Sequence, residues 1–449
     1  MATASTPAAQ AGPAIPAVLQ PPSGRELTLL LTIAFVAWFL RAPRVLLHGR
    51  LLLEEGTTYL RYAWDAPPLR AFFAPHQDYY SLLPNAIALL AARVFPLRDA
   101  GYLYVWSALL VQLVVVLVIV TLEVFPTPRA RLLALITFLL ATPSMELILN
   151  TIHSQFFLGL GAAALLVSAP DRYPRLRGAF LVFAGLNGPA SCPFVPFYWL
   201  RVLFTRSRQA LVQAVLLSGC ALLQGLILLF YLRRTVRGIQ HHDWKLLGAV
   251  LLQRVLLQPW LTGHAAGVYD RFLLAHFTPG CLALVGLIAA LGVISLLRIA
   301  HRAGTPSLWL AAASFWCFFV YWYGALGTDF NNLTPIGEDR YWFTANALLA
   351  LSLLLGARNL RLAPGLRGAC MTLLLLGWVN GLLAYGSGWP YMHDYISWQD
   401  QVEAWQRNPS LELRSAPNEW DLRIRLTREP QNLPLPADTY DSSNPHRLP

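Results

Sequence analysis

The chain has 449 residues, a formal charge of +11, 56% hydrophobic residues and only 13% charged residues. A soluble globular chain carries about 25% charged residues, so an ordinary water-soluble fold is excluded. The basic balance is no nucleic-acid footprint either: Lys245 is the only lysine, and the remaining cations are arginines set in short loops between apolar blocks.

In chain order, residues 1–24 are rich in Ala and Pro and free of acids, and are expected to be a disordered cytoplasmic leader. Leu27–Leu40 follows as an apolar run closed by Arg41-Ala-Pro-Arg44, a retained first span and not a cleaved signal. Near-continuous apolar runs recur at Tyr102–Val124, Ala210–Leu232, Leu282–Leu297, Leu308–Tyr323 and Met371–Tyr385. Crossing a hydrocarbon core of about 30 Å takes about 17–25 such residues. The expectation is an all-α polytopic membrane protein. Its bundle occupies residues 25–387, with outer loops at 41–79, 234–276 and 325–340. Residues 388–449 form a small outer tail, with a short helix at Ser397–Arg407 and strands near Leu411–Arg414 and Leu422–Leu426. The five cysteines lie in or beside apolar segments without metal-type spacing.

Two segments break the pattern. Leu82–Phe95 and Tyr102–Val124 cannot both cross inward if Arg129 is to lie inside, so Tyr80–Phe95, with Pro84 near its start, is expected to be re-entrant or to lie along the outer surface. Phe180–Leu200 holds Gly185-Leu-Asn-Gly-Pro-Ala-Ser191 and then Pro193 and Pro196. Proline removes a helix donor, so two half-helices are expected to meet at Asn187-Gly188-Pro189. Residues 234–276 mix aromatics, Arg and His with an apolar stripe, as a segment lying in the interface does.

Charge sets the orientation. Arg129/Arg131, Arg172/Arg175/Arg177, Arg206/Arg208, Arg298/Arg302 and Arg358/Arg361/Arg367 mark the cytoplasmic side by the positive-inside rule. Glu54, Glu55, Asp65, Asp78, Glu146, Asp243, Asp270, Asp329, Glu338 and Asp339 then face outward. Arg41, Arg44 and Arg50 run against this assignment. The arginine bias itself fits a GC-rich genome, hence a bacterial inner membrane with the site toward the periplasm or exterior.

Candidate chemistry gathers on that outer side. Glu54-Glu55 opens a helical-looking stretch after the first span. One reading is a charged helix cap. The other is a general base, with the second carboxylate orienting it or holding a divalent cation. Asn150, His153 and Gln155 stand at a span mouth, and His76 and Asp78 precede the short segment. Arg340 and Tyr341 follow Glu338-Asp339, where a guanidinium either meets a lipid phosphate or pairs with its acidic neighbours. No Walker-type loop, Gly-x-Ser-x-Gly elbow or histidine metal spacing is present.

Several stretches are similar to the GT-C-type glycosyltransferases that use polyprenol-phosphate sugars, especially a bacterial branch. They are Glu54-Glu55-Gly56-x-x-Tyr59-x-x-Tyr62-Ala63, Asp78-Tyr79-Tyr80-Ser-Leu-Leu-Pro84-Asn85 and Asn150-x-x-His153-Ser-Gln155. Gly185-Leu-Asn-Gly188-Pro189, Asp339-Arg340-Tyr341-Trp342-Phe343 and the Trp-rich tail with Asn418-Glu419-Trp420-Asp421-Leu422 complete the set. The resemblance implies a GT-C-like bundle of about 10–12 membrane segments, some broken or re-entrant, with catalysis on the outer face. It implies a polyprenyl-phosphate-sugar donor, a glycan, lipid or protein acceptor, and membrane lipids as surroundings. The catalytic base falls on Glu54 or Glu55. Glu-Glu stands where the family often has Asp-Glu, so the choice stays open, and Glu146 is the candidate second acid. Asn187 joins the site-lining residues. A transporter or flippase of a lipid-linked or small polar substrate is the alternative, against which stands the scarcity of mid-span ionisable residues.

Overall fold

The computed structural model describes residues 21–231, 244–261, 263–276, 278–326, 339–386, 396–417 and 420–426. The leader, Glu338, most of the loop 325–340, residues 388–395, Asn418-Glu419 and the end of the tail lie outside the described residues.

The described chain is almost entirely helical. Helices α1 (Gly24–Arg41) and α2 (Pro43–His48) precede a π-helical turn at Glu55–Leu60, which runs into α3 (Arg61–Asp65). Two more short helices, α4 (Pro68–Phe72) and α5 (Leu82–Arg93), complete this region. Then come α6 (Ala100–Val120), α7 (Pro128–Leu139), α8 (Ser154–Ala164), α9 (Pro174–Leu186), α10 (Val195–Thr205) and α11 (Arg208–Tyr231). The remainder is α12 (Trp244–Leu251), α13 (Gly263–Ala275), α14 (Pro279–Ala303), α15 (Thr305–Tyr321), α16 (Arg340–Arg358), α17 (Pro364–Gly386) and α18 (Trp398–Arg407). The only sheet among the described residues is the antiparallel pair β1 (Leu413–Arg414) and β2 (Arg423–Ile424).

Among the described residues, four helices are long and apolar enough to cross a membrane: α6, with the turn before it, α11, α14 and α17. Their surroundings differ. α6 is largely enclosed by its neighbours, whereas α14 and α17 turn most of their apolar surface outward. Leu284, Leu287 and Leu291 on α14 are all more than half exposed. An apolar face of that extent is stable against lipid, not water. α15 and α16 run antiparallel through the core, tied by Ser314 Oγ donating to the Ala345 carbonyl and by the reciprocal Ser307–Ser352 bonds.

The helices carry two unlike ends. At one, the arginine loops are neutralised locally: Arg131 pairs with Glu26 at 2.9 Å, and Arg172 and Arg177 each meet Glu123 at 3.3 Å. The other end is capped by a second apolar cluster, distinct from the bundle core. It joins Tyr59, Leu60 and Tyr62 of the first loop, Ile87 and Ala88 of α5, and Trp398 and Trp405 of α18. α5 has only 12 residues and packs within this cap, so the short segment does not traverse the bundle.

The tail belongs to the same cap. Leu53 N–H donates to the Ala416 carbonyl at 2.9 Å and Ala416 N–H to the Leu51 carbonyl at 2.8 Å, adding residues 51–53 beside the β1–β2 pair. The indole of Trp398 donates to the Leu97 carbonyl at 2.8 Å. α18 and the two strands fall inside the spans expected from the sequence.

The proline-rich break occurs where expected. α9 ends at Asn187, Gly188 has φ +105°, and a 3-10 turn over Pro189–Phe194 leads into α10. A Cβ at Gly188 would lie 2.3 Å from Gln155 Oε1, so both the backbone angle and the close approach require glycine. The described part of 234–276 is largely helical. α12 and the π-helical turn after it pack on α14 and bury Gln253 and Arg254. Arg254 faces inward, where its guanidinium donates to Asp339 and its carbonyl accepts from Asn346 Nδ2.

Candidate functional site

The Glu-Glu pair is divided by the backbone. Leu53 sits at φ +50°, and the chain then enters the π-helical turn, so consecutive side chains leave in different directions. Glu55 points inward and is fully buried. Its Oε1 accepts from Thr151 N–H and Thr151 Oγ1, both at 2.7 Å, and Oε2 accepts from Leu52 N–H at 2.8 Å. Burial pushes this carboxyl up to about 7, against the pull of the three donors and of Arg50. Glu55 thus straps the first loop to the loop before α8. Glu54 is half-buried, and its carboxylate has no hydrogen-bond or ion-pair partner among the described residues.

Glu54 lies beside a charged cluster and its negative charge acts on His153. Within that cluster, Arg340 opens α16 and donates to Glu146. Glu146 is buried, yet Arg340 and His153 outweigh the burial and hold its carboxyl below the usual range. His153 Nε2 lies 3.8 Å from Glu146 Oε1, and Nδ1 is 3.1 Å from both Asn150 Nδ2 and the Glu146 carbonyl. The proton's place sets the partners: on Nδ1 it donates to the Glu146 carbonyl, and on Nε2 it faces the Glu146 carboxylate while Nδ1 accepts from the Asn150 amide. Burial, assisted by Arg340, holds this imidazole below its usual range, so it is neutral.

Asn150 orders the turn before α8, its Oδ1 accepting from Ile152 N–H at 2.8 Å and His153 N–H at 3.3 Å. Tyr341 supports the guanidinium of Arg340, whose Cζ is 5.0 Å from the ring centroid. The same ring packs on Phe156 and Tyr321. Arg340 keeps about a quarter of its side chain open, so it is paired but accessible.

The sequence-level candidates therefore separate into two groups. Glu54, Glu146, Asn150, His153, Arg340 and Tyr341 come together. His76, Asp78 and Asn187 instead shape the cap next to them. His76 and Tyr79 exchange backbone bonds around Gln77 and Asp78, both at positive φ, in a tight hairpin. The His76 ring lies between Tyr59 and Tyr62 at 4.6 and 5.3 Å, and burial pushes it down to about 3, so it stays neutral. Asn187 Oδ1 accepts from Leu83 N–H at 2.8 Å and so fixes the start of α5 on the α9–α10 break. The link between the groups is the Tyr79 hydroxyl, which accepts from Gln155 Nε2 at 3.1 Å.

Sequence reasoning missed three participants. Thr151, inside the Asn150–His153 stretch, holds Glu55. Gln224 on α11 bonds both backbone groups of Tyr80 and the Gly185 carbonyl. Arg254 is fully buried and pairs with Asp339 at 3.1 Å, which takes Asp339 away from Arg340. Arg340 itself pairs with Glu146, 194 residues away in sequence, while Glu338, its other expected neighbour, lies outside the described residues. An amide in an apolar helix was the available signal for Gln224; nothing local marks Arg254 or Thr151.

No group of three His, Cys, Asp or Glu side chains among the described residues converges to hold a metal ion. Because Glu55 is committed to Thr151 and Leu52, the two adjacent glutamates do not act as one cation-binding pair. A small crevice elsewhere, between Thr142, Trp260, Asn346 and Trp378, has no titratable side chain among its described lining residues. Compared with family models, with curated proteins and with solved structures, the chain matches none.

Proposed function

We propose that the chain is a membrane glycosyltransferase of GT-C type, with about 10–12 membrane segments and its site toward the periplasm or cell exterior. It moves a sugar from a polyprenyl-phosphate donor to an extracytoplasmic glycan, lipid or protein. The observation that carries this reading is the half-buried carboxylate of Glu54, whose charge reaches His153 of the cluster in which the accessible guanidinium of Arg340 is anchored on Glu146. The residue resemblance set out above supports it.

In this reading Glu54, not Glu55, is the base. Glu54 takes the proton of the acceptor hydroxyl as that oxygen attacks the anomeric carbon. The bond from that carbon to the phosphate oxygen breaks, and the lipid phosphate leaves with its electron pair. Arg340 stabilises the charge that develops there, since preorganised cations act on the transition state. Glu146 and Tyr341 hold the guanidinium in place, and His153 fills the remaining contact on Glu146. Glu55 acts through the backbone as a positioning residue.

The test is sugar transfer from a synthetic polyprenyl-phosphate sugar by purified variants. Glu54→Gln is expected to lose about 100-fold or more of the rate, within the range for a removed general base, with its thermal stability retained. Glu55→Gln is expected to lose stability first. Full transfer by Glu54→Gln would refute the assignment. Translocation without any covalent product would favour the second reading, a transporter, for which the buried Arg254–Asp339 pair is the supporting observation.

A further inference from the structure

The geometry points to a second anion site, distinct from the Glu54–Arg340 centre: Arg41, Ser144 and Tyr385 bind the phosphate of a membrane lipid headgroup.

Arg41 is the last residue of α1 and is 7% exposed. Buried arginines elsewhere in the chain lie against carboxylates: Arg131 on Glu26, Arg177 on Glu123 and Arg254 on Asp339. Arg50 and Arg201 lie in the fields of Glu55 and Glu123. Arg41 departs from this rule. Its partners among the described residues are neutral: Ser144 Oγ at 3.1 Å and the face of Tyr385, 4.4 Å from the guanidinium carbon. A buried cation without a counter-charge is expensive, and its remaining N–H donors call for an acceptor.

A second observation has the same sign. The Tyr385 hydroxyl is buried beside Arg41, and its O–H has no acceptor among the described residues. A guanidinium, a phenol O–H and a serine hydroxyl thus gather with no anionic acceptor between them. Phosphate oxygens fit such a set, because they are acceptors, carry the missing charge and match the planar fork of arginine.

The place selects the lipid as the source. α1 and α17 each pack on α7, and Arg41 reaches Tyr385 between their ends. The apolar side chains flanking the pair are open: Leu40 is 72% exposed, and Leu382 and Leu383 exceed half. Acyl chains along those residues would place a headgroup phosphate at the end of the span, where Arg41 lies. Glu54, Glu146 and Arg340 contribute nothing to this set, so the inference stands apart from the glycosyltransferase reading.

The experiment uses the detergent-purified full chain, with short-chain phosphatidic acid and inorganic phosphate as probes. Native mass spectrometry and thermal melting report binding. The wild type is expected to retain phosphatidic acid and to melt at higher temperature in its presence. Arg41→Gln is expected to weaken binding by about tenfold or more, as loss of a charge-assisted contact does. Tyr385→Phe keeps the ring and removes a hydroxyl whose O–H has no acceptor among the described residues, so it folds normally and weakens binding several-fold. The paired variant Glu146→Gln/Arg340→Gln is expected to bind as the wild type does. Unchanged affinity in both Arg41→Gln and Tyr385→Phe would overturn the site. Loss confined to the Glu146/Arg340 variant would move the phosphate to the other centre. Displacement by inorganic phosphate at equal concentration would reassign the site to free phosphate.

Discussion

Replacing Thr151 with valine removes one hydroxyl and almost no volume, and it loosens the strap that separates Glu55 from Glu54. The lost contact is a 2.7 Å hydrogen bond to a fully buried carboxylate, while the Thr151 N–H and Leu52 N–H bonds remain. A bond to a charged group contributes about 1.5–3 kcal/mol, so Thr151→Val should cost about that much when Glu55 is ionised. The cost depends on pH with a definite sign. Burial raises the folded carboxyl from 4.5 to about 7, so the folded chain binds this proton more tightly than the unfolded chain. The stability contributed by that proton is fully present below about pH 4.5 and declines as pH rises through about 7. The decline amounts to about 3 kcal/mol, at 1.36 kcal/mol for each pH unit between the two values. Removing the hydroxyl disfavours the charged form further, so the Thr151→Val deficit should be small at pH 5 and largest at pH 8–9. Thermal melts of detergent-purified protein across that range measure it. A deficit that is equal at every pH, or absent, would refute the claim that Thr151 serves the ionised Glu55.

Other perturbations test neighbouring parts of the account. Arg340→Gln leaves Glu146 buried without its counter-charge and should destabilise by about 3–5 kcal/mol. Adding Glu146→Gln should restore most of that loss in a double-mutant cycle. Gly56→Ala would place a Cβ 2.2 Å from Ser415 Oγ and 2.4 Å from Ile424 Cδ1. It should lift the tail from the first loop, cost about 1–3 kcal/mol as overpacking does, and speed proteolysis of residues 396–426. Gly188→Ala combines a positive φ with the clash on Gln155 and should cost at least about 1–3 kcal/mol. The melting temperature reads both glycine variants directly.

Apolar block length and proline placement made most of the bundle legible in the sequence. The run from Ala210 coincides with α11 as far as Tyr231, Leu282–Leu297 lies within α14, and the Asn187-Gly188-Pro189 break falls between α9 and α10. These features are local: twenty apolar residues or a proline act wherever they stand. The tail's small elements were legible for the same reason, through the Ser397 cap, whose hydroxyl accepts from Asp400 N–H, and the alternation at Leu413 and Ile424. What escaped depends on long-range partners. Glu54 and Glu55 are equivalent in the sequence, and only Thr151, 96 residues on, commits one of them. His76 and Asn187 looked like site residues because polar groups beside apolar runs suit catalysis, but here they satisfy the backbone and aromatic packing of the cap. Within 234–276, the amphipathic stripe did not say that α12 packs on α14 or that Arg254 turns inward to Asp339.

The central claim is that Glu54 and Arg340 frame a site for a lipid-linked sugar phosphate. It is tested most directly by a structure of the chain bound to a non-hydrolysable polyprenyl-phosphate sugar. The account predicts the phosphate oxygens at about 2.7–2.9 Å from the Arg340 guanidinium, the spacing of charge-assisted bonds. It also predicts space beside the anomeric carbon for an acceptor hydroxyl about 2.6–3.2 Å from the Glu54 carboxylate. A phosphate bound away from Arg340, or a sugar that Glu54 cannot reach even through an acceptor, would contradict it.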